Sequence, residues 1–93
     1  MLTPQYYLYI LMCNDGTYYT GITSELERRI EEHNTSPKGA KYTRSRRPLH
    51  LVYHEVCLDK SSALKREKAI KQLTRLQKID LIASQLLITS PTE

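Results

Sequence analysis

An arginine, a histidine and a glutamate stand where the helical pattern of this chain calls for apolar side chains. Ser24 followed three residues later by Glu27 forms a capping box, which predicts a helix from about residue 25. Its apolar stripe is Leu26 and Ile30, and i, i+3, i+4, i+7 spacing adds Arg29 and His33 to that face. A later helical stripe of Ala63, Leu64, Ile70 and Lys71 or Thr74 includes Glu67, the only acid between Lys60 and Lys78. Burying an unpaired charge costs several kcal/mol, so such groups are paired or set beside a cleft. The blander readings are that Arg29 and His33 snorkel at the stripe's edge, and that Glu67 pairs with Lys71 at i+4. The two strands that precede the first helix favour a cleft, and the charge distribution points to its partner. Residues 14–34 hold five acids and two bases, yet from Thr35 to His54 there are five bases (Lys38, Lys41, Arg44, Arg46, Arg47) and no acid. From Lys60 to Lys78 seven bases face one acid, so a polyanion is the expected partner.

These residues need a scaffold, and the pattern supplies one. Tyr6 to Cys13 alternates as a strand, with Leu8, Ile10 and Met12 on one face and Tyr7, Tyr9, Leu11 and Cys13 on the other. Asn14-Asp15-Gly16 turns the chain, and the turn type sets the register. A two-residue Asp15-Gly16 turn would put Tyr9 and Tyr19 on opposite faces. A three-residue loop with Gly16 left-handed in a G1 bulge pairs Cys13 with Thr17 and sets Tyr19 opposite Leu11. Tyr9 and Tyr19 then share a face, and Ile22 joins Leu8, Ile10 and Met12. The bulged turn is the expectation.

After the first helix, Asn34 to Pro48 reads as a polar basic loop, then Leu49 to Leu58 as a third strand. His50 and His54 share a strand face but lie too far apart for one metal ion. Ser61 or Ser62 is expected to cap a second helix running to about Leu73. Thr74 with Gln77 forms a capping box opening a third helix, with Leu76, Ile79, Ile82 or Ala83, and Leu86 inward. Thr89 to Glu93 reads as a frayed tail. The expected fold is α/β (α+β): a small three-stranded antiparallel-type mixed sheet flanked by three helices in the order β-β-α-β-α-α.

The 93 residues make one domain, 1–93, with an ordered core of about 5–88. Cys13 and Cys57 sit in strand-like segments as buried thiols, neighbours in a sheet at most, too few for a zinc site. No apolar run is long enough to span a membrane and no leader precedes the first strand, so a cytoplasmic location is expected.

The ordered set of Tyr7-Leu8-Tyr9, Tyr19-Thr20-Gly21, Arg29, His33 and Glu67 resembles the GIY-YIG nuclease superfamily over nearly the whole chain. Within it the chain is similar to the small single-domain bacterial group. The first motif lacks the leading Gly, and the second carries Thr in its middle position. The resemblance implies metal-dependent hydrolysis of a nucleic-acid phosphodiester, DNA before RNA, structure- or damage-directed with little sequence specificity. It gives Glu67 to a Mg²⁺ or Mn²⁺ ion, Arg29 to the scissile phosphate, and Tyr9 to the general base. His33 would accept the proton, Tyr19 would orient water or phosphate, and Gly21 would leave room for a backbone to approach. Tyr7, Gly21, Lys38, Lys41, Arg44, Arg46, Arg47, Lys65, Arg66 and Lys68 would contact nucleic acid. Many members carry an Asn about a dozen residues after the Glu, where this chain has Gln77, Lys78, Ile79 and Asp80. The rival readings are a catalytically weak nucleic-acid-binding module on the same fold, and a structural protein whose tyrosines are core.

Overall fold

The computed structural model describes residues 5–89, with side chains described through Gln85. Three strands, β1 (Tyr6–Met12), β2 (Tyr18–Thr23) and β3 (His50–Cys57), form an antiparallel sheet in the order β2-β1-β3. Four helices complete the fold: α1 (Leu26–Thr35), α2 (Lys41–Arg44), α3 (Lys60–Lys71) and α4 (Arg75–Thr89). The expected element order holds, with one addition. The basic segment after α1 folds a single helical turn, α2, instead of running wholly as loop.

The β1–β2 hairpin has the bulged register. The Cys13 amide donates to Thr17 O at 2.8 Å, the Gly16 amide to Cys13 O at 2.9 Å, and Gly16 lies at φ 85°. Leu11 therefore faces Tyr19, and Tyr9 faces Gly21. Asp15 locks the turn through the Thr17 hydroxyl at 2.7 Å and amide at 3.1 Å. A Gly serves at position 16 because an L side chain rarely adopts that backbone.

Strand alternation then builds two cores. Leu8, Ile10, Tyr53, Cys57, Ala63 and Ile70 pack together beneath α3 and α4. Tyr9, Leu11, Cys13 and Leu49 pack on the other face against Leu26 and Ile30 of α1. The two cysteines are buried free thiols as expected, but in different cores and at opposite ends of the sheet, so they are not neighbours. A bulge at Val52 shifts the β1–β3 register between Ile10 and Leu11, bringing Tyr53 opposite Ile10 and Leu51 opposite Leu11. Two side-chain amides bond to the backbone of β3 and of the residue before it. Asn34 pairs with both backbone groups of Leu49 (2.7 and 3.1 Å), and Gln85 with both of His54 (3.2 and 2.6 Å). Capping an edge strand in this way removes a template for unwanted pairing.

Helix starts differ from expectation in two places, and a third holds. Ser24 does not cap α1: Glu25 is its N-cap, without a side-chain bond, and the Thr23 hydroxyl accepts from the Glu25 amide instead. Asp59, not Ser61 or Ser62, caps α3, its carboxylate taking the Ser62 amide at 2.8 Å. The Thr74–Gln77 box forms reciprocally, at 2.9 and 3.2 Å. The inward face of α4 is Leu81 with Ile82, whereas Leu76 is 73 % exposed and Ile79 37 %. Leu86 lies beyond the described side chains, and the expected tail beyond residue 89 lies outside the described residues.

Candidate active site

Tyr9 projects from the middle strand onto the α1 face, and the side chain on each side of it is fixed by the hairpin. Across the ladder stands Gly21, where an added Cβ would lie 2.6 Å from the Tyr9 hydroxyl oxygen and 2.8 Å from its ring carbon. Gly21 thus makes room for the phenol rather than for an approaching substrate backbone. Tyr19, one diagonal step away, places its ring 6.5 Å from that of Tyr9.

The phenol ends on a histidine. Tyr9 Oη is 2.8 Å from His33 Nε2, and both residues are fully or almost fully buried. Behind it, His33 Nδ1 is 3.0 Å from Thr43 Oγ1, whose own hydrogen goes to Ala40 O at 2.9 Å. A hydroxyl has one hydrogen to give, so Thr43 accepts from Nδ1–H, and Nε2 is left as the acceptor for Tyr9. The Ala40 amide, 3.5 Å from Nδ1, is too distant to compete. Burial, then the Arg29 charge, pushes the imidazole down to about 4, so His33 is neutral at pH 7. Burial and the neighbouring Tyr19 push the Tyr9 phenol up to about 12, against the pull of Arg29. The result is a neutral phenol pointing at an empty proton acceptor.

Arg29 comes from the same helix face one turn earlier. Its Nη1 donates to Glu32 Oε1 at 2.8 Å and to Lys38 O at 2.9 Å, which holds the guanidinium beside Tyr9. Glu67 approaches from α3, on the other side of the sheet. It is near enough for its charge to act on Tyr9, its side chain is 19 % exposed, and Lys71 Nζ pairs with it at 3.2 Å. The intrahelical pair considered from the sequence is therefore present. Tyr9, Tyr19, Arg29 and His33 thus stand together on the α1 side of β1 and β2, while Glu67 pairs with Lys71 on the α3 side and reaches Tyr9 only through its charge.

Sequence reading missed two members. Thr43 fixes the His33 tautomer, and Tyr42 stacks on Tyr19 with centroids 6.1 Å apart and rings tilted by 24°. Both belong to α2, whose single turn carries no periodicity to detect. Gly39 was missed too: a Cβ there would meet Glu32 O at 2.7 Å and His33 Cα at 2.9 Å, so Gly lets the segment close on α1.

Of the bases expected to meet phosphates, three are spent inside the fold. Arg47 caps the C-terminus of α1, donating to the carbonyls of His33 and Ser36, each at 2.6 Å. Arg46 bonds Asp15 at 3.0 Å and lies over the Tyr42 ring. Arg66 is bidentate to Glu55, which also takes the Tyr53 hydroxyl. Lys38, Lys41, Arg44, Lys65 and Lys68 are exposed. Tyr7 lines a separate cleft of about 540 Å³ with Glu25, Glu27, Arg28 and His54 among its walls.

A family model described as the GIY-YIG catalytic domain matches residues 5–80. The chain belongs to the GIY-YIG family. It thereby joins a superfamily of nucleases, and relatives named UPF0213 protein match most of its length. One from Desulfotalea psychrophila is 60 % identical over 79 residues, covering 85 % of this chain and 72 % of its own. One from Lactiplantibacillus plantarum is 52 % identical over 82 residues, covering 86 % and 80 %. A solution NMR structure of a UPF0213 protein from Bacillus halodurans is similar with a TM-score of 0.56 at 44 % identity, covering 85 % of this chain and 83 % of that one. An NMR structure of a protein from E. faecalis gives 0.64 at 40 % identity, covering 99 % and 97 %. Among the described residues no helix is long and apolar enough to cross a membrane.

Proposed function

We propose that this GIY-YIG domain is an endonuclease that hydrolyses phosphodiester bonds of DNA in preference to RNA, directed by structure or damage rather than by sequence. The observation that carries the reading is the buried hydrogen bond from Tyr9 to a neutral, correctly tautomerised His33. A water attacking phosphorus gives its proton to the Tyr9 oxygen as the phenol proton passes to His33 Nε2. The bond from phosphorus to the leaving oxygen breaks, and solvent water protonates that oxygen. A phenol held at about 12 does not ionise at neutral pH, so it relays a proton only by passing its own to His33, whose imidazole is neutral but, at about 4, a weak acceptor. Arg29, with Nε and Nη2 directed to no carboxylate among the described residues, takes the scissile phosphate. Tyr19 orients the water or the phosphate.

The residues present fit a divalent ion of the Mg²⁺ or Mn²⁺ type. Glu67 is a partly buried hard oxygen donor whose one ion-pair partner among the described residues is a surface-reaching lysine, and such ions need few carboxylates. Among the described residues no group of three or more His, Cys, Asp or Glu could form a closed cage. Glu67 would hold the ion, which when bound supplies Lewis-acid stabilisation of charge developing on the phosphate. Lys38, Lys41, Arg44, Lys65 and Lys68 would contact backbone phosphates, which position without reading sequence. One observation favours the alternative of a catalytically weak binding module: Gln77, in the region of the family's Asn, is engaged in capping α4.

The test is Tyr9→Phe against single-stranded, nicked, flapped and branched DNA with Mg²⁺ and Mn²⁺. The variant keeps the ring that fills the core and loses the proton path. Cleavage should fall by about 10²–10⁴-fold on every substrate the native protein cuts. Undiminished cleavage would remove Tyr9 from the mechanism.

A further inference from the structure

The free edge of β2 carries a second feature that the proton relay does not use. Tyr18, Tyr19, Thr20, Tyr42, Lys71 and Lys78 line a cleft of about 320 Å³ there. Its walls come from both sides of the sheet. Tyr19 and Tyr42 belong to the α1 side, while Tyr18 and Thr20 face the side covered by α3 and α4, which contribute the two lysines. Thr20 is only 4 % exposed, and its Oγ1 is a buried side-chain oxygen with no hydrogen-bond partner among the described residues. This is also the position where the chain departs from the YIG motif, placing a hydroxyl where that motif has an apolar side chain. Leaving a buried hydroxyl unsatisfied is unfavourable, so its presence in a cleft wall points to a ligand that completes it. Lys78, with Lys71 shared by Glu67, calls for an anion, and the three phenol rings, with Arg75 over Tyr18 and Arg46 over Tyr42, call for a flat, partly apolar body. The volume is at the low end of the range for small-molecule sites, about 300–1,000 Å³.

We propose that this cleft is a nucleotide subsite: one nucleotide enters with its phosphate toward Lys71 and Lys78 and its base among the tyrosines, accepting or donating a hydrogen bond at Thr20. The inference deepens the nuclease reading by placing a nucleotide next to the scissile phosphate. Lys71 connects the two, since the same ammonium pairs with Glu67 at 3.2 Å.

The experiment is an NMR titration of the full chain with thymidine 5′-monophosphate, without metal, beside parallel titrations with inorganic phosphate and thymidine. Saturable shifts are expected at the Tyr18, Thr20, Tyr42 and Lys78 amides, with the nucleotide binding more tightly than either fragment. Lys78→Gln should weaken the nucleotide about tenfold, as loss of a charge-assisted hydrogen bond implies. Thr20→Val, nearly the same shape, should weaken the nucleotide about fivefold and leave inorganic phosphate unchanged. Equal affinity of nucleotide and inorganic phosphate, or native nucleotide affinity in Thr20→Val, would overturn the subsite. Because no cleavage is read, a chain that binds the nucleotide yet cuts nothing would sink the nuclease proposal and leave this one standing. A nuclease silent in the titration would do the reverse.

Discussion

At the scale of single residues, the proposed chemistry depends on how tightly Tyr9 is held. Gly21→Ala adds one methyl group where 2.6 Å separates its position from the Tyr9 hydroxyl oxygen, so the buried, His33-bonded Tyr9 ring must shift to admit it. The variant should lose about 1–3 kcal/mol of stability, the range for overpacking, and should lose most of any cleavage with it. A thermal melt beside a cleavage assay checks both, and a native melt would show that the ring has slack. His33 gives a pH prediction. Its folded pKa of about 4 lies below the ordinary 6.5, so between those values the unfolded chain binds more protons than the folded one. Stability from this group is therefore complete above about pH 6.5 and falls as pH drops toward 4. Urea midpoints from pH 7.5 to 4.5 should decline across that window, and His33→Gln should flatten the decline. For the same reason cleavage should persist down to about pH 5 instead of falling near 6.5. Tyr9 has the opposite sign: its pKa is raised to about 12, so its contribution holds below pH 10 and is lost as pH rises toward 12.

At the scale of elements, the basic segment divides into structural and exposed charges. Arg47→Ala uncaps the last carbonyls of α1 and should cost about 2 kcal/mol, the scale of a hydrogen bond to a charged group. Lys41 and Arg44 project from α2 into solvent, and replacing both with Ala should leave the melt unchanged. It should flatten the slope of log DNA affinity against log salt by roughly one to two units. An unchanged slope would move the DNA elsewhere. The hairpin and its register were legible because Asp15 and Gly16 permit one turn that keeps all apolar residues on consistent faces. Arg29, His33 and Glu67 were legible as polar groups on apolar stripes. Cap positions were less so, since Thr23, Ser24, Asp59, Ser61 and Ser62 all offer oxygens within reach, and only the backbone path selects among them. The α2 turn was not legible at all: four residues give no period, and its buried Thr43 is defined by His33, ten residues away. The fate of Arg46, Arg47 and Arg66 also eluded the sequence, because their acceptors are carbonyls and acids distant along the chain.

At the scale of the whole molecule, a sheet of three strands separates two small cores and leaves β2 as a free edge where both faces contribute residues. The Tyr9–His33 hydrogen bond stands on the α1 side, and Glu67 arrives from α3 on the other. Neither helix alone can assemble the candidate site, so the proposed activity requires the complete fold. The two readings of the molecule, nuclease or binder, diverge most at Glu67. As a metal ligand it supplies the one charge that holds the ion. As the partner of Lys71 alone it contributes a surface ion pair worth a few tenths of a kcal/mol. The decisive measurement is DNA cleavage by Glu67→Gln in Mg²⁺ or Mn²⁺, with DNA affinity measured in parallel without metal. The nuclease account predicts that cleavage falls by several orders of magnitude while metal-free affinity holds or rises, because a repulsive charge has gone. Cleavage equal to that of the native protein would contradict it.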